Sequence, residues 1–291
     1  MKLLTFDIEE WYRNYQKGGP REYYEKYDGY LDAILGKLDE RGLKATFFCV
    51  GEMGRIFPDV IRKIHAGGHE IGCHSNTHAW LNKMSETECR EDTRCAVDSL
   101  EQCIGEKVRS YRAPAFSIGE KNKWAFEILA ENGIERDASV FPGARDFGGF
   151  PHFGQNTPCV VECHGVRLKE FPICMTKVLG KEMGYSGGGY FRFFPLGFVE
   201  KVMEKSPYSM CYFHIKDLVP GSHGVMSKEA YEAYFKEKGT VKARYMRYFK
   251  SNFRKKNAFR KLMKLLEVTD FVSIQQADAE LDWNTMAVVN M

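Results

Sequence analysis

The sequence lacks any apolar run long enough to act as a signal peptide or to cross a membrane. It also lacks internal repeats, low-complexity tracts and any linker rich in Pro, Gly or Ser, so we expect one domain spanning residues 1–291. Its nine cysteines are odd in number and contain no CxxC pair, which argues against a disulfide framework. Together these absences predict a cytoplasmic protein with reduced thiols.

A large net charge is also absent, because the whole chain carries only +3. The charges are unevenly placed, however. Residues 236–264 hold twelve Lys and Arg and one acid, Glu237, which is +11 and leaves −8 for the rest. Aromatic residues such as Tyr245 and Phe249 interleave with these cations, a pattern typical of an amphipathic helical region that contacts anionic lipid or phosphate. A solvated helix face beside a core stripe is the simpler alternative. We expect peripheral contact with the inner membrane face and no nucleic-acid partner.

Short apolar, β-rich runs alternate with longer stretches of helical periodicity, which predicts βα units around a parallel sheet or barrel. The predicted strands cover residues 3–8, 45–50, 70–75, 110–116, 135–140, 209–215 and 271–274. The predicted helices cover residues 29–41, 56–66, 85–104, 121–132 and 196–205. Seven such repeats favour a single α/β barrel, closed or nearly so. We expect residues 141–192 to form a rim insertion and residues 220–267 a basic, mostly helical elaboration.

Polar side chains stand at the ends of the predicted strands, where βα barrels carry their catalytic groups. His74 and His78 follow the third strand four residues apart, and this spacing lets two imidazoles bind one cation. A carboxylate from the first strand would complete a set of two histidines and one carboxylate, with positions left for water and substrate. The sequence therefore predicts a divalent metal site at this end of the barrel.

Acid–base candidates flank the predicted metal site. Asp7 and Glu9 lie two residues apart on an extended strand, so one can bind metal while the other accepts a proton. The cation and the Arg112 guanidinium would keep both carboxylates ionised. His214 ends another strand, and a carboxylate such as Asp137 bonded to its ring would raise the imidazole pKa, as a general acid requires.

Six strings in this order resemble the motifs of the polysaccharide deacetylase (NodB-homology) family, carbohydrate esterase family 4. They are Thr5-Phe6-Asp7-Ile8-Glu9, Ala45-Thr46-Phe47-Phe48, Gly68-His69-Glu70-Ile71-Gly72-Cys73-His74-Ser75-Asn76-Thr77-His78, Arg112-Ala113-Pro114, Asp137-Ala138-Ser139 and Tyr212-Phe213-His214. Two further strings, Glu170-Phe171-Pro172 and Gly187-Gly188-Gly189-Tyr190-Phe191-Arg192, are similar to the exopolysaccharide- and lipopolysaccharide-cluster branch. The resemblance implies a distorted (β/α)7-type barrel. It also implies a metal-dependent hydrolase that removes N-acetyl groups from a hexosamine-containing glycan or glycan precursor and releases acetate.

Residue roles follow from the same resemblance. Asp7 would be the general base, oriented by Arg112, and His214 the general acid, tuned by Asp137. His74 and His78 would bind the metal, which we expect to be zinc. Many relatives place an aspartate directly after the base, but this chain has Ile8 there, so the carboxylate ligand shifts to Glu9, with Glu10 as the alternative.

The resemblance also assigns substrate contacts. The Ala115 backbone N–H would face the oxyanion, Phe141 replaces a tryptophan of the acetyl pocket, and Tyr212 replaces a leucine beside His214. Tyr190 and Arg192 would bind the sugar ring and an anionic group. A cytoplasmic enzyme should meet lipid-linked or nucleotide-linked precursors. Two alternatives stay open: a cyclic amide or imide hydrolase of the allantoinase-like kind, and a catalytically inactive glycan- or membrane-binding module.

Overall fold

The computed structural model describes residues 1–145, 147–220, 224–235 and 237–291. Residues 221–223 and Lys236, which belong to the predicted basic elaboration, lie outside the described residues. The strands are β1 (Lys2–Ile8), β2 (Thr46–Cys49), β3 (Glu70–Cys73), β4 (Ser110–Tyr111), β5 (Arg136–Asp137), β6 (Cys159–Cys163), β7 (Val166–Glu170), β8 (Met175–Val178), β9 (Lys181–Gly184), β10 (Ser209–His214) and β11 (Val288–Asn290).

Within the described residues, nine strands form one sheet in the order β10-β1-β2-β3-β4-β5-β7-β6-β11. The seven from β10 to β7 run parallel to their neighbours, whereas β6 pairs with β7 in the antiparallel sense. β2 and β3 are buried along their whole length, as expected for parallel strands covered on both faces. The predicted α/β architecture with a distorted seven-stranded barrel is confirmed.

Side-chain hydrogen bonds bridge the gap between the first and seventh parallel strands. Tyr208 Oη donates to the Pro172 carbonyl oxygen at 2.8 Å, and Ser186 Oγ donates to the Met210 carbonyl oxygen at 2.6 Å. The chain that follows β7 therefore joins β10 through side chains instead of a backbone ladder. This irregular closure is what distorts the barrel.

The strand predicted at residues 271–274 is wrong. Only Val272 forms a bridge, to Leu3, because Ser273 then caps a helix: its side chain accepts from Gln276 N, and the Gln276 side chain accepts from Ser273 N. The seventh parallel strand is instead β7. Residues 141–192, predicted as a rim insertion, thus supply both β6 and β7 to the sheet, and only the β8–β9 hairpin forms a separate sheet.

Helices pack around the sheet and continue into the basic segment. They are α1 (Glu10–Gln16), α2 (Arg21–Glu40), α3 (Glu52–Ile56), α4 (Pro58–Ala66), α5 (Glu86–Ile104), α6 (Ala125–Glu131), α7 (Gly188–Phe193), α8 (Leu196–Lys205), α9 (Ile215–Leu218), α10 (Lys228–Phe235), α11 (Val241–Asn252), α12 (Ala258–Val268) and α13 (Ile274–Glu280). In the part of the chain that is described, none of these helices is long and apolar enough to span a bilayer.

A buried carboxylate joins several elements by hydrogen bonds at the end of the barrel opposite the predicted site. Glu70, at the start of β3, accepts hydrogen bonds from Thr46 Oγ1 at 2.6 Å, Ser110 Oγ at 2.5 Å and Gln275 N at 2.8 Å. The Arg136 guanidinium lies 3.5 Å from the same carboxylate and donates to Ser110 Oγ. Four strands and α13 therefore share one buried polar network.

Replacing this carboxylate should destabilise the fold. In Glu70→Ala the buried hydroxyls, the backbone N–H and the guanidinium would lose their acceptor, so we expect a loss of about 3 kcal/mol in the free energy of unfolding. Urea unfolding measures it. The matched control is Glu267→Ala, an exposed carboxylate 3.7 Å from Lys37, which should cost less than about 0.5 kcal/mol. Equal losses in the two variants would contradict the role given to Glu70.

Candidate active site

The carboxyl ends of neighbouring parallel strands bring the predicted residues together at one edge of the sheet. Asp7 of β1 pairs in register with His214 of β10. Glu9 follows β1, His74 directly follows β3 and Arg112 directly follows β4. Because these strands are parallel, all five side chains emerge at the same end of the barrel.

Glu9, His74 and His78 form a group that could hold a metal ion, since their ligand atoms all lie within 4.8 Å of one another. His74 Nδ1 lies 2.7 Å from the Arg112 carbonyl oxygen, so Nδ1 carries the proton and Nε2 presents its lone pair. That Nε2 is buried without a hydrogen-bond partner among the described residues. His78 Nε2 lies against Glu9 Oε2. A buried, unpartnered imidazole nitrogen beside a second imidazole and a carboxylate fits a divalent cation.

A strained turn places the second histidine. Ser75 and His78 both have positive φ, 61° and 60°, in the left-handed region that non-glycine residues rarely adopt. The turn is held by Ala79 N, which donates to Ser75 Oγ, and by Asn76 N, which donates to Asp92 Oδ2, each at 2.9 Å. These bonds support the conformation that turns His78 back toward His74.

The protonation states of the trio suit metal binding. Burial lowers the pKa of His74 to about 4 and also lowers the pKa of His78. Burial alone would raise the pKa of Glu9, but His78, Lys216 and Arg13 hold it well below its usual range. All three groups are therefore deprotonated near neutral pH, as metal ligands must be.

Two cations that the sequence analysis missed surround Glu9. Arg13 Nη1 donates to Glu9 Oε1 at 2.9 Å, and Lys216 Nζ donates to the same oxygen. The four-residue spacing from Glu9 to Arg13 could have indicated the first contact. Glu10, the alternative carboxylate ligand, lies outside the metal-binding group, and burial raises its pKa.

Arg112 holds Asp7 in place. Its Nη1 donates to Asp7 Oδ1 at 2.9 Å and to Thr5 Oγ1 at 2.8 Å, and its Nε donates to the Ala138 carbonyl oxygen. Burial would raise the pKa of Asp7, but Arg112, helped by His74 and His214, keeps it below the ordinary value. Asp7 is thus ionised and oriented, the state that a general base requires.

His214 is oriented by a carboxylate on its own side of the barrel. Its Nδ1 lies 3.0 Å from Asp217 Oδ2, while its Nε2 lies 3.6 Å from Asp7 Oδ2. Burial and Lys216 act to lower the pKa of His214, but Asp217 and Glu9 raise it above the ordinary value. This raised pKa favours the protonated imidazole, the form that a general acid requires.

The predicted pairing of Asp137 with His214 is wrong. Asp137 Oδ1 accepts from Ser139 Oγ at 2.5 Å, and its carboxyl group also interacts with Glu170. Ser139 Oγ in turn accepts from Ala113 N at 2.7 Å. Asp137 thus supports the loop after Arg112. Asp217, three residues beyond His214 at the start of α9, is the nearer partner, and that spacing could have indicated it.

The predicted sugar contact of Arg192 is also wrong. Its side chain is only 5% exposed because Nη1 pairs with Asp217 Oδ1 at 2.5 Å. Its Nη2 donates to the Lys250 carbonyl oxygen of α11 at 3.2 Å. Arg192 therefore supports the carboxylate that holds His214, and it is not among the residues that line the cavity.

Of the remaining residues predicted to contact substrate, Ala115 lines the cavity, whereas the aromatic rings of Phe141, Tyr190 and Tyr212 do not. Ala115 has φ of 57° and lines the same cavity as His214. Phe141 and Tyr212 are almost fully buried, with ring centroids 5.8 and 5.2 Å from that of Phe116. Tyr190 stacks on Phe141 at 6.3 Å. None of these three rings lines the cavity, so they support its wall from behind.

A cavity of about 350 Å³ includes Glu9, His78 and His214 in its wall. Its outer side is built by α10, α11 and the segment around Phe147. The lining residues from these parts are Arg145, Phe147, Tyr231, Tyr234, Phe235, Arg244, Arg247, Tyr248 and Ser251. The basic elaboration therefore covers the candidate active site, an arrangement that the sequence analysis did not foresee.

Fold and site together describe a barrel protein in which two histidines and one carboxylate could hold a metal ion beside Asp7 and His214. Residues 3–136 match the model of the polysaccharide deacetylase family, and residues 138–279 match that of a domain of unknown function, DUF3473. The first part of the chain is therefore similar to polysaccharide deacetylases, and the second part is similar to DUF3473.

Two curated relatives and one solved structure illustrate the similarity. A peptidoglycan-N-acetylglucosamine deacetylase of Bacillus cereus is 37% identical over 95 residues, 32% of this chain and 34% of the relative. A chitooligosaccharide deacetylase of Sinorhizobium fredii is 30% identical over 102 residues, 33% of this chain and 47% of the relative. The chain thus spans less than half the length of either. A Mycobacterium smegmatis protein assigned as a polysaccharide deacetylase shares the fold, with a TM-score of 0.65 at 16% identity over 100% of this chain and 92% of that one.

The Asp217–His214 bond predicts a change in pH dependence. Because Asp217 raises the pKa of His214, Asp217→Asn should lower that pKa, so less imidazolium is present at neutral pH. We expect NMR titration of the His214 imidazole to give a midpoint at lower pH than in the wild-type protein. Asp98→Asn, on the exposed face of α5, is the control. An unchanged midpoint in Asp217→Asn would rule out this role.

Proposed function

We propose that the protein is a metal-dependent hydrolase that removes N-acetyl groups from a hexosamine-containing glycan or glycan precursor and releases acetate. One observation carries the proposal: Glu9, His74 and His78 converge within 4.8 Å beside an ionised Asp7 and a His214 of raised pKa. The matched relatives, named as deacetylases of N-acetylated glycans, support the same reaction.

Zinc is the metal we propose, because two imidazoles and one carboxylate form a ligand set typical of catalytic zinc. Held by Glu9, His74 and His78, a divalent cation would lower the pKa of water and polarise the amide carbonyl. The chain's own groups then move the protons. Asp7 takes a proton from the attacking water, and His214 gives one to the departing amine. The backbone N–H of Ala115 faces the oxyanion.

The whole chain, residues 1–291, would act as one catalytic domain. The segment matched to polysaccharide deacetylases contributes Asp7 and the metal trio, whereas the segment matched to DUF3473 contributes His214 and Asp217. Neither segment alone holds both the base and the acid. All nine cysteines are free thiols, seven of them buried, which supports a reducing compartment such as the cytoplasm.

In that compartment we propose a lipid- or nucleotide-linked substrate and peripheral contact with anionic membrane. Helix α11 has two faces. Arg244, Arg247, Tyr248 and Ser251 line the cavity, and the outer, opposite face exposes Tyr245, Met246 and Phe249. Exposed aromatic and aliphatic side chains among many cations suit the interface of an anionic bilayer.

Variants of the trio and of the base should separate metal binding from chemistry. His74→Ala should lose both bound metal and acetate release, whereas Asp7→Asn should keep the metal and lose at least about 100-fold in kcat. Metal analysis of the purified proteins and acetate release from N-acetylglucosamine oligomers measure the two effects. The control is His65→Ala. His65 and His69 have the same four-residue spacing as His74 and His78, but they lie outside the site.

The control should bind metal and turn over substrate like wild type. Acetate release by Asp7→Asn at the wild-type rate would contradict the assignment of Asp7 as the general base. If His74→Ala still bound one metal ion per protein molecule, the proposed ligand set would be contradicted.

The outer face of α11 predicts membrane binding that can be abolished. Wild-type protein should float with phosphatidylglycerol vesicles at low salt and not with phosphatidylcholine vesicles, because anionic lipid attracts the basic segment. Tyr245→Ser combined with Phe249→Ser should reduce the floated fraction several-fold, since the interfacial aromatic side chains are lost. Protein that stays wholly in solution with both vesicle types would refute the contact.

A further inference from the structure

We propose that Arg145, Arg244 and Arg247 form a subsite, in the cavity that Glu9, His78 and His214 also line, for a negatively charged group on the sugar substrate. The inference rests on the proposed function and narrows its substrate class. The sugar that reaches the trio would carry a phosphate or carboxylate near its acetamido group.

The charge of the cavity wall is the first support. Six of its described lining residues are cations and only two, Glu9 and Glu10, are acids: Arg13, Lys17, Arg145, Lys216, Arg244 and Arg247. Arg13 and Lys216 are both bonded to Glu9. The described lining therefore carries four more cations than acids. A divalent cation held by Glu9, His74 and His78 would add to this excess of positive charge. A cavity of one sign concentrates ligands of the opposite sign.

Arg244 supplies the second support. Its Nη1 donates to the Met226 carbonyl oxygen at 3.0 Å, which fixes the guanidinium, while its Nε is buried without a hydrogen-bond partner among the described residues. A buried donor without an acceptor is unfavourable, so an oxyanion in the cavity would satisfy it. A neutral hydroxyl would do so less well, because hydrogen bonds between two charged groups are stronger.

Stacked aromatic rings hold the other two guanidinium groups. Arg145 lies over the rings of Phe116 and Phe141, with its Cζ 4.9 and 4.7 Å from their centroids. Arg247 lies over Phe147 and Phe235 at 4.5 and 4.6 Å. Cation–π contacts of this kind hold both guanidinium groups at the cavity wall, and Arg247 also bonds the Tyr231 side chain. Both cations are therefore held in place before an oxyanion binds.

The face of α11 that carries two of these arginines gives the third support. Arg244 and Arg247 recur with Tyr248 and Ser251 at helical spacing on the side that lines the cavity. Lys242 lies on the opposite, solvent-exposed side. The same helix therefore offers a cation outside the cavity as a matched control for the two arginines inside it.

Paired substrates test the subsite. The wild-type kcat/KM for N-acetylglucosamine 1-phosphate should exceed that for neutral methyl N-acetylglucosaminide, and added salt should lower only the first. In Arg244→Gln/Arg247→Gln the ratio of the two values should fall by at least about tenfold. In Lys242→Gln it should not change. UDP-N-acetylglucosamine and a disaccharide of N-acetylglucosamine with glucuronic acid then distinguish a diphosphate from a carboxylate as the bound group.

A binding measurement tests the subsite independently of the proposed deacetylation reaction. Asp7→Asn protein should bind the phosphorylated sugar more tightly than the neutral one by calorimetry, and this difference should vanish when the two arginines are replaced. Selective binding without acetate release from any sugar would leave the subsite standing and overturn the deacetylase function. Equal wild-type turnover and equal binding of the two sugars, or an equal loss in Lys242→Gln, would overturn the subsite alone.

Discussion

The buried guanidinium of Arg112 is the group on which the site depends. Its side chain fixes Asp7, on β1, and its own carbonyl oxygen fixes the tautomer of His74, which follows β3. The base and a metal ligand are thus positioned by one residue. Arg112 and Asp7 are both almost completely buried, and either charge would be costly to bury without the other. The pair therefore has to form for this end of the barrel to pack.

The charges of the cavity beside this pair are positive on balance. Six cations and two carboxylates line it among the described residues, so cations outnumber carboxylates there before any metal is counted. A positive centre favours the oxyanion that develops when an amide carbonyl is attacked. It equally favours a substrate that already carries negative charge. The proposed reaction and the inferred anion subsite therefore draw on the same electrostatic imbalance.

Local rules predicted the parts of the molecule that depend on neighbouring residues. Apolar runs indicated the strands of the α/β barrel, and polar residues at their ends indicated Asp7, Glu9, His74 and His78, which the structure brings together. The wrong predictions concern which side chain bonds to which. Chemistry alone predicts a pairing of Asp137 with His214, but Asp137 interacts with Ser139 and Glu170, and Asp217 lies nearer to His214. Which carboxylate meets an imidazole depends on loop paths, and the three-residue spacing from His214 to Asp217 is the sequence signal that points to this pairing.

The basic segment shows why composition alone could not assign a role. The cations and aromatic residues of this segment fit a membrane-contacting helix or a solvated one, and both alternatives assume a single functional face. In the structure, α11 has no buried residue, yet one side lines the cavity and the other exposes aromatic and aliphatic groups. Arg192 also joins the helix to the acid, because it bonds both the Lys250 carbonyl oxygen and Asp217. A surface that bound the outer face would therefore lie one helix thickness from the arginines of the cavity. A lipid-linked phosphosugar is the substrate that could engage both faces at once.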